Sequence, residues 1–321
     1  MMKVLHDTIH QLTIPTPFAV GDVHVYLLKG DVLSLVDAGV RTKEAWEALV
    51  LQLKQLGYSP NDIEQLILTH HHPDHIGLVG EFPRAHSIVG HSFNEPWLTK
   101  DESFFNRYEQ FFKDYFAFFG VPDVYLKYLE QMKSELGHFG EGSLTAVIDE
   151  GDVLPGHDQW RVIGTKGHAQ SHLSFFRESD GSFIGGDHLL AHITPNPVLE
   201  PPYNEGQERP KPLLQYRSNL NKCLQLGIQK VYPGHNEVFS NLDELIPAQL
   251  KLQEKRANKV FEMLQVKEQK PFAICQQLFP KKFAKQLDLT MSETIGQLDF
   301  LENEGKILAT VKDGILFYQI K

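Results

Sequence analysis

Cysteine is nearly absent from this 321-residue chain, with Cys223 and Cys275 its two instances. Two cysteines cannot build a disulfide framework, and neither stands at a metal-ligand spacing, so a reducing, cytoplasmic compartment is expected. No apolar run approaches the roughly 20 residues that span a bilayer. The start, Met1-Met2-Lys3-Val4-Leu5-His6-Asp7, lacks the apolar core of a signal peptide, so no membrane partner is expected. Internal repeats and low-complexity tracts are missing too. Basic charge is also short, because the formal net charge is −10. From Asp243 onward, 12 Lys/Arg meet 11 Asp/Glu, which leaves 19 basic and 30 acidic groups before it, a net of −11. An acidic main body disfavours polyphosphate or nucleic-acid partners.

Hydrophobic residues make up 41% and charged residues 22%, ordinary values for a chain with a sizeable core. The length exceeds a typical domain of about 100–200 residues, which predicts one large unit and a smaller one. Residues 23–28 and 32–37 read as strands joined through Lys29-Gly30-Asp31. A helix is expected from about Thr42 to Leu56, because Trp46, Leu49, Val50, Leu53 and Leu56 recur at 3–4 spacing before Gly57. Ile63 to Thr69 reads as a buried strand. Strand character returns at 146–148, 160–164, 173–176, 182–184 and 230–232, and the alternation points to a layered α/β body. Within it, about 92–137 forms a helical, aromatic-rich insertion that includes Phe104, Phe105, Tyr108, Phe111, Phe112, Tyr115, Phe116, Phe118 and Phe119. That face either packs on a core or serves as a lid or dimer patch. Six prolines between Pro195 and Pro212 mark a long irregular loop of the kind that is functional or mobile.

The sixteen histidines cluster. Thr69-His70-His71-His72-Pro73-Asp74-His75 runs out of a strand, with His70 and His72 leaving on one side and Asp74 and His75 in the turn beyond. Crowding imidazoles and a carboxylate is costly unless a cation compensates, and both are standard ligands of divalent zinc.

This stretch resembles the HxHxDH signature of the metallo-β-lactamase superfamily, and four further motifs follow that family's order. Gly167-His168, Gly185-Gly186-Asp187 and Tyr232-Pro233-Gly234-His235 resemble its later ligand motifs, and Asp37 matches an aspartate that supports the metals from behind. The resemblance covers roughly residues 15–240. It implies a four-layer αββα sandwich as the catalytic domain over residues 1–242. It also implies two divalent ions, zinc first, with iron or manganese admitted by the same N/O ligands. One ion would take His70, His72 and His168; the other would take Asp74, His75 and His235; Asp187 would be shared. Such ions, about 3.5–4 Å apart, hold a hydroxide nucleophile at neutral pH, so Asp74 is carried over as catalytic.

Among the remaining histidines, His71 alternates away from the metals and reads as structural. His172 ends the third motif and reads as a buttress or a packing residue. His188 and His192 lead into the proline-rich loop. One of them is expected to donate to the substrate or hold the loop, with His192 taken as the catalytic candidate. His91 opens the aromatic insertion with no firm role, and His6, His10, His24, His86, His138 and His157 stand alone.

From Asp243 to the end, three helical stretches precede two strands joined by Lys312-Asp313-Gly314, a winged-helix order. A small C-terminal winged-helix domain, residues 243–321, resembles the branch of the superfamily that includes β-lactamase-like protein 2. Its third helix carries Glu293, Asp299, Glu302 and Glu304, which would repel a nucleic-acid duplex. The module is therefore read as a packing element or a homodimer contact. The reaction expected is hydrolysis of a small ester or thioester, as in hydroxyacylglutathione hydrolases and lactonases. A winged helix in place of a glutathione-binding helical domain speaks against glutathione thioesters. The alternative reading is an endoribonuclease of the β-lactamase-like protein 2 type.

Overall fold

The computed structural model describes residues 9–127, 129, 136–204 and 206–321. These fall into two compact units. The first comprises Met1–Asp101, Glu135–Pro195 and Gln225–Ser240; the second comprises Glu102–Ser134, Asn196–Leu224 and Asn241–Lys321. The second unit thus takes in, besides the C-terminal stretch, the aromatic-rich segment and the proline-rich loop, both expected to belong to the catalytic body.

The first unit is built on two sheets. Its first sheet runs in the order β1 (Ile9–Ile14), β2 (Val23–Lys29), β3 (Leu33–Val36), β4 (Gln65–Ile67), β5 (Ser87–Gly90) and β6 (Ala146–Val147). The second sheet runs in the reverse order, β11 (Lys230–Pro233), β10 (Ser182–Gly186), β9 (Leu173–Arg177), β8 (His157–Gly164) and β7 (Val153–Leu154). Their inner faces share one core, in which Tyr26, Val36, Ile67 and Val89 meet Trp160, Val162, Phe175 and Ile184.

Helix α1 (Lys43–Gln55) starts where Thr42 accepts the amide of Ala45, and it carries the chain from β3 to the parallel β4. Its Gln52 exchanges two hydrogen bonds with the backbone of Thr13 on β1, at 2.9 and 2.8 Å. Strand β1 has no counterpart in the sequence reading, and the expected strand over Ile63–Thr69 shortens to β4. Beyond it the backbone turns into α2 (Pro73–Ile76), whose first position is a proline preset for helix. A four-residue helix, α3 (Glu95–Leu98), follows β5. Strands β3, β4 and β5 are parallel, as are β10 and β11, so their carboxyl ends gather on common edges. Ligand sites of open α/β sheets form at such ends.

The second unit is helical, with a hairpin. Helix α4 (Glu102–Phe118) buries Phe104, Phe112 and Phe116, and its aromatic face packs into this unit's core. Those rings are core residues. After Pro122 the chain enters a 3₁₀ turn, Asp123–Tyr125, and the stretch beyond it falls partly outside the described residues.

Helices α5 (Pro212–Cys223), α6 (Leu242–Val266) and α7 (Pro271–Leu278) surround α8 (Leu287–Asn303), and the hairpin β12 (Ile307–Lys312)–β13 (Ile315–Ile320) completes the unit. Helix α8 is buried nearly all round, as expected of a helix at the centre of a packed unit. Its Gly296 lets α5 approach, since a Cβ there would stand 2.9 Å from that of Leu213.

Two of the four acidic residues expected on the surface of α8 are buried. Asp299 is buried in a two-point contact with Arg209, at 2.6 and 2.9 Å, and Glu293 is buried against Arg256. Glu302 stays half-buried and Glu304 exposed at the end of this helix, so the outward negative charge expected there is reduced to those two residues. The proline-rich segment before α5 is likewise pinned. Asn196 donates to the Leu289 carbonyl, the Leu199 amide donates to Ser292, and Arg209 holds Asp299.

Candidate metal centre

Every donor of the HxHxDH pattern and its later partners leaves the carboxyl end of a strand. Beyond β4 come His70, His72, Asp74 and His75; beyond β8, His168; beyond β10, Asp187; beyond β11, His235. The structure brings these seven side chains to one place, in the first unit. The donor atoms of His70, His72 and His168 lie within 4.8 Å of one another, as do those of Asp74, His75 and His235, and those of His70, His75 and Asp187. Asp187 stands between the groups. Its Oδ1 is 3.4 Å from His75 Nε2, and its Oδ2 is 3.5 Å from both His168 Nε2 and His235 Nε2.

The surrounding hydrogen bonds set the tautomers. Asp37, held at a left-handed φ of 61°, accepts the Thr69 amide on Oδ1 and the Thr69 hydroxyl on Oδ2, both at 2.8 Å. With its proton committed to Asp37, the Thr69 hydroxyl can only accept from His70 Nδ1, 3.0 Å away. His70 Nε2 is then bare and faces His72 Nδ1 at 3.0 Å. Asp37 Oδ2 also takes the Nδ1 proton of His75 at 2.7 Å, and the Asp22 carbonyl takes that of His235 at 2.7 Å. Both residues therefore turn Nε2 inward, and an acceptor behind Nδ1 is the arrangement that raises the basicity of metal-binding imidazoles. His172 buttresses Asp187: its Nε2 accepts the Asp187 amide at 3.0 Å, while its Nδ1 donates to Thr165 at 2.8 Å.

His75 Nε2, His235 Nε2 and Asp187 Oδ1 are buried and find no hydrogen-bond partner among the described residues. Buried polar atoms rarely go unsatisfied, and a cation at their centre would satisfy all three. The electrostatics agree. Burial depresses His70 and His72, helped by the imidazoles around them, and keeps them neutral as ligands must be. Burial would depress His75 and His235 as well. Instead Asp187, with Asp37 and Asp74, holds His75 well above the usual range, and Asp187 and Asp74 push His235 up to about 10. Protons on these two rings play the part that a dication would take over. Glycine is required at Gly234, where a Cβ would stand 2.2 Å from Asp187 Oδ1.

His192 does not join this group. It is two-thirds exposed and paired with Glu237, two residues past His235. His188 is fully buried behind Asp187, its ring 6.2 Å from that of His172. His91 caps a 3₁₀ turn by accepting the Phe93 amide, and burial with nearby Lys166 pulls it down to about 4. His71 points away from the donors, stacked on Trp97 at 4.2 Å.

Sequence reasoning passed over several supporting groups. His24 takes the Gly234 carbonyl with its amide and the Asn236 carbonyl with its Nε2, gripping the backbone on both sides of His235. Asp22 acts through a backbone carbonyl, which leaves no mark on residue type. Thr69 carried a signal in directly preceding His70.

The sequence profile of the Metallo-beta-lactamase superfamily matches residues 19–235. The chain belongs to this superfamily. A relative described as the probable metallo-hydrolase YqjP of Bacillus subtilis (strain 168) is 42% identical over 308 residues, 96% of each chain. The N-acyl homoserine lactonase AttM of Agrobacterium fabrum is 32% identical over 117 residues, 36% of this chain and 42% of that one. Among solved structures, the metallo-beta-lactamase family protein TTHA1429 from Thermus thermophilus superposes with a TM-score of 0.81 at 26% identity, covering 98% of this chain and 99% of that one. As a metallo-β-lactamase superfamily member with a His/Asp cluster suited to divalent metal, this protein is a metal-dependent hydrolase. Among the described residues, no helix is long and apolar enough to cross a membrane.

Proposed function

We propose that the protein is a dinuclear hydrolase of small esters, thioesters or lactones. The observation that carries this reading is the set of seven N/O donors, with imidazole nitrogens turned inward around one shared carboxylate. His70, His72 and His168 would hold one ion and Asp74, His75 and His235 the other, with Asp187 common to both. Zinc suits these donors, and iron or manganese would suit them by the same logic. When bound, a pair of such ions activates water at neutral pH and polarises the oxygen of the bond under attack.

The chain's own residues do the rest. Asp37 and Thr69 keep His70 and His75 in the metal-binding tautomer, and His172 aims Asp187. Asp74 lies beside His235, its Oδ2 3.3 Å from Nε2, where a carboxylate can receive a proton from attacking water. His192, paired with Glu237 and apart from the seven donors, is kept as the candidate for a substrate contact. The likeness to AttM supports lactones and related esters as substrates. The C-terminal helices and hairpin are read as a winged-helix-like packing module that can serve a homodimer, in a cytoplasmic protein acting on small molecules.

A panel of p-nitrophenyl esters, thioesters, lactones and phosphodiesters, assayed with the zinc-loaded protein, tests the reaction class. Carbonyl substrates should be turned over at least tenfold better than phosphodiesters, and the reverse order, or cleavage of single-stranded RNA lost in Asp74→Ala, overturns the reading. Elemental analysis should give about two metal equivalents for the wild type and fewer for His70→Ala and Asp187→Ala.

A further inference from the structure

We infer that His71 and Ser171 form a latch that sets the first half of the metal centre, the His70–His72–His168 group, without governing the second. This inference rests on the ligand assignment proposed above.

The three donors of that group come from two separate loops, His70 and His72 from the turn after β4 and His168 from the turn after β8. Their spacing is therefore a matter of how the two loops are joined. The Ser171 hydroxyl, fully buried, accepts the His71 amide at 3.1 Å and lies 2.8 Å from His71 Nδ1. An oxygen that accepts from the amide can give its single proton to a bare Nδ1, so one hydroxyl meets both the backbone and the ring of His71. The ring cannot swing away, because it lies flat on Trp97 at 4.2 Å and 12°, and Trp97 in turn lies on Phe139 at 5.3 Å and 16°. His71 is flanked by two of the donors, and Ser171 sits three residues beyond the third. The rings thus held in register, His72 and His168, stand 4.6 Å apart.

The other half has its own supports: Asp37 for His75 and the Asp22 carbonyl with His24 for His235. None of these passes through Ser171. One backbone bond, Leu173 amide to Thr69 carbonyl at 2.8 Å, also ties the two loops, so loss of the latch should loosen the first group without unfolding the unit.

The test is a zinc titration against a competing chromophoric chelator, with elemental analysis after dialysis. In Ser171→Ala, one of the two zinc equivalents should weaken by about 10–100-fold, the usual cost of losing a group behind a metal ligand, while the other keeps its wild-type affinity. Ser171→Thr, which retains the hydroxyl, should restore it. His71→Phe keeps an aromatic face on Trp97 and removes the ring contact, and should weaken the same single equivalent even if the alanine variant proves insoluble. Cobalt-loaded Ser171→Ala should lose part of the visible d–d absorption of the wild type and keep the remainder. Two unchanged equivalents in the variants, or both weakened alike, overturn the latch. A wild type that holds fewer than two equivalents overturns the ligand assignment instead.

Discussion

Asp37 and His75 stand 38 residues apart and meet at 2.7 Å, the carboxylate Oδ2 taking the Nδ1 proton. The same carboxylate receives both the amide and the hydroxyl of Thr69, so one side chain governs the tautomers of two inward-facing imidazoles. Asparagine tolerates the left-handed backbone at this position but replaces one accepting oxygen with a donor. Asp37→Asn should therefore fold normally and bind metal about 10–100-fold more weakly. Chelator competition alongside circular dichroism checks this, and undiminished metal affinity would show that the carboxylate is dispensable.

Gly234→Ala drives a methyl group toward Asp187, which must move because the added carbon would sit 2.2 Å from its Oδ1. The shared carboxylate would be displaced while both sheets stayed intact. Turnover of whichever ester the panel identifies should fall by about 100-fold or more, as expected for a misplacement near 1 Å. Metal content and the melting temperature should be measured together, so that loss of the fold is told apart from loss of the site.

His157 ties the two sheets together away from the metal centre, its Nε2 2.7 Å from the hydroxyl of Ser34. Burial pulls it down to about 4. A histidine whose folded pKa lies below its unfolded value of about 6.5 favours the folded state while neutral. Its contribution is complete above pH 6.5 and is lost as the pH falls from 6.5 through about 4, by up to about 3 kcal/mol. Urea unfolding of the wild type should weaken over that window, and His157→Gln should flatten the slope. A variant with the same slope as the wild type would exclude His157 as its source.

In the second unit, Arg209 and Asp299 should depend on each other. Removing one partner of a buried ion pair strands the other, at a cost of about 3–5 kcal/mol. Asp299→Ala and Arg209→Ala should each destabilise by that order, and the double variant by much less than their sum. Additive losses in urea denaturation would mean the two groups do not stabilise each other.

Much of this protein can be read along the chain. Thr42 at a helix start, the 3–4 spacing of Leu49 and Leu53, and Lys312-Asp313-Gly314 between two strands are short-range signals, and each marks the element found. The ligand-type residues could be named for a related reason. A histidine or aspartate at the end of a buried strand is costly without chemistry to perform, so residue type and strand position together mark it. What escaped the reading is pairing at a distance. The Asp22 carbonyl that orients His235 lies 213 residues away, and a carbonyl looks the same on every residue. Glu293 and Asp299 read as surface charge because nothing in their own segment announces Arg256 or Arg209.

By itself the sequence determined many of the strands and helices, though not β1 or β5, and which side chains have the chemistry to hold metal, since periodicity and residue type act locally. Tertiary structure alone decided which nitrogen of each imidazole faces inward, which loop Ser171 joins to His71, and which acidic groups on α8 are neutralised by arginine. Those outcomes depend on hydrogen-bond partners that become neighbours once the sheets have stacked and the helices have packed, and no local pattern encodes such a meeting.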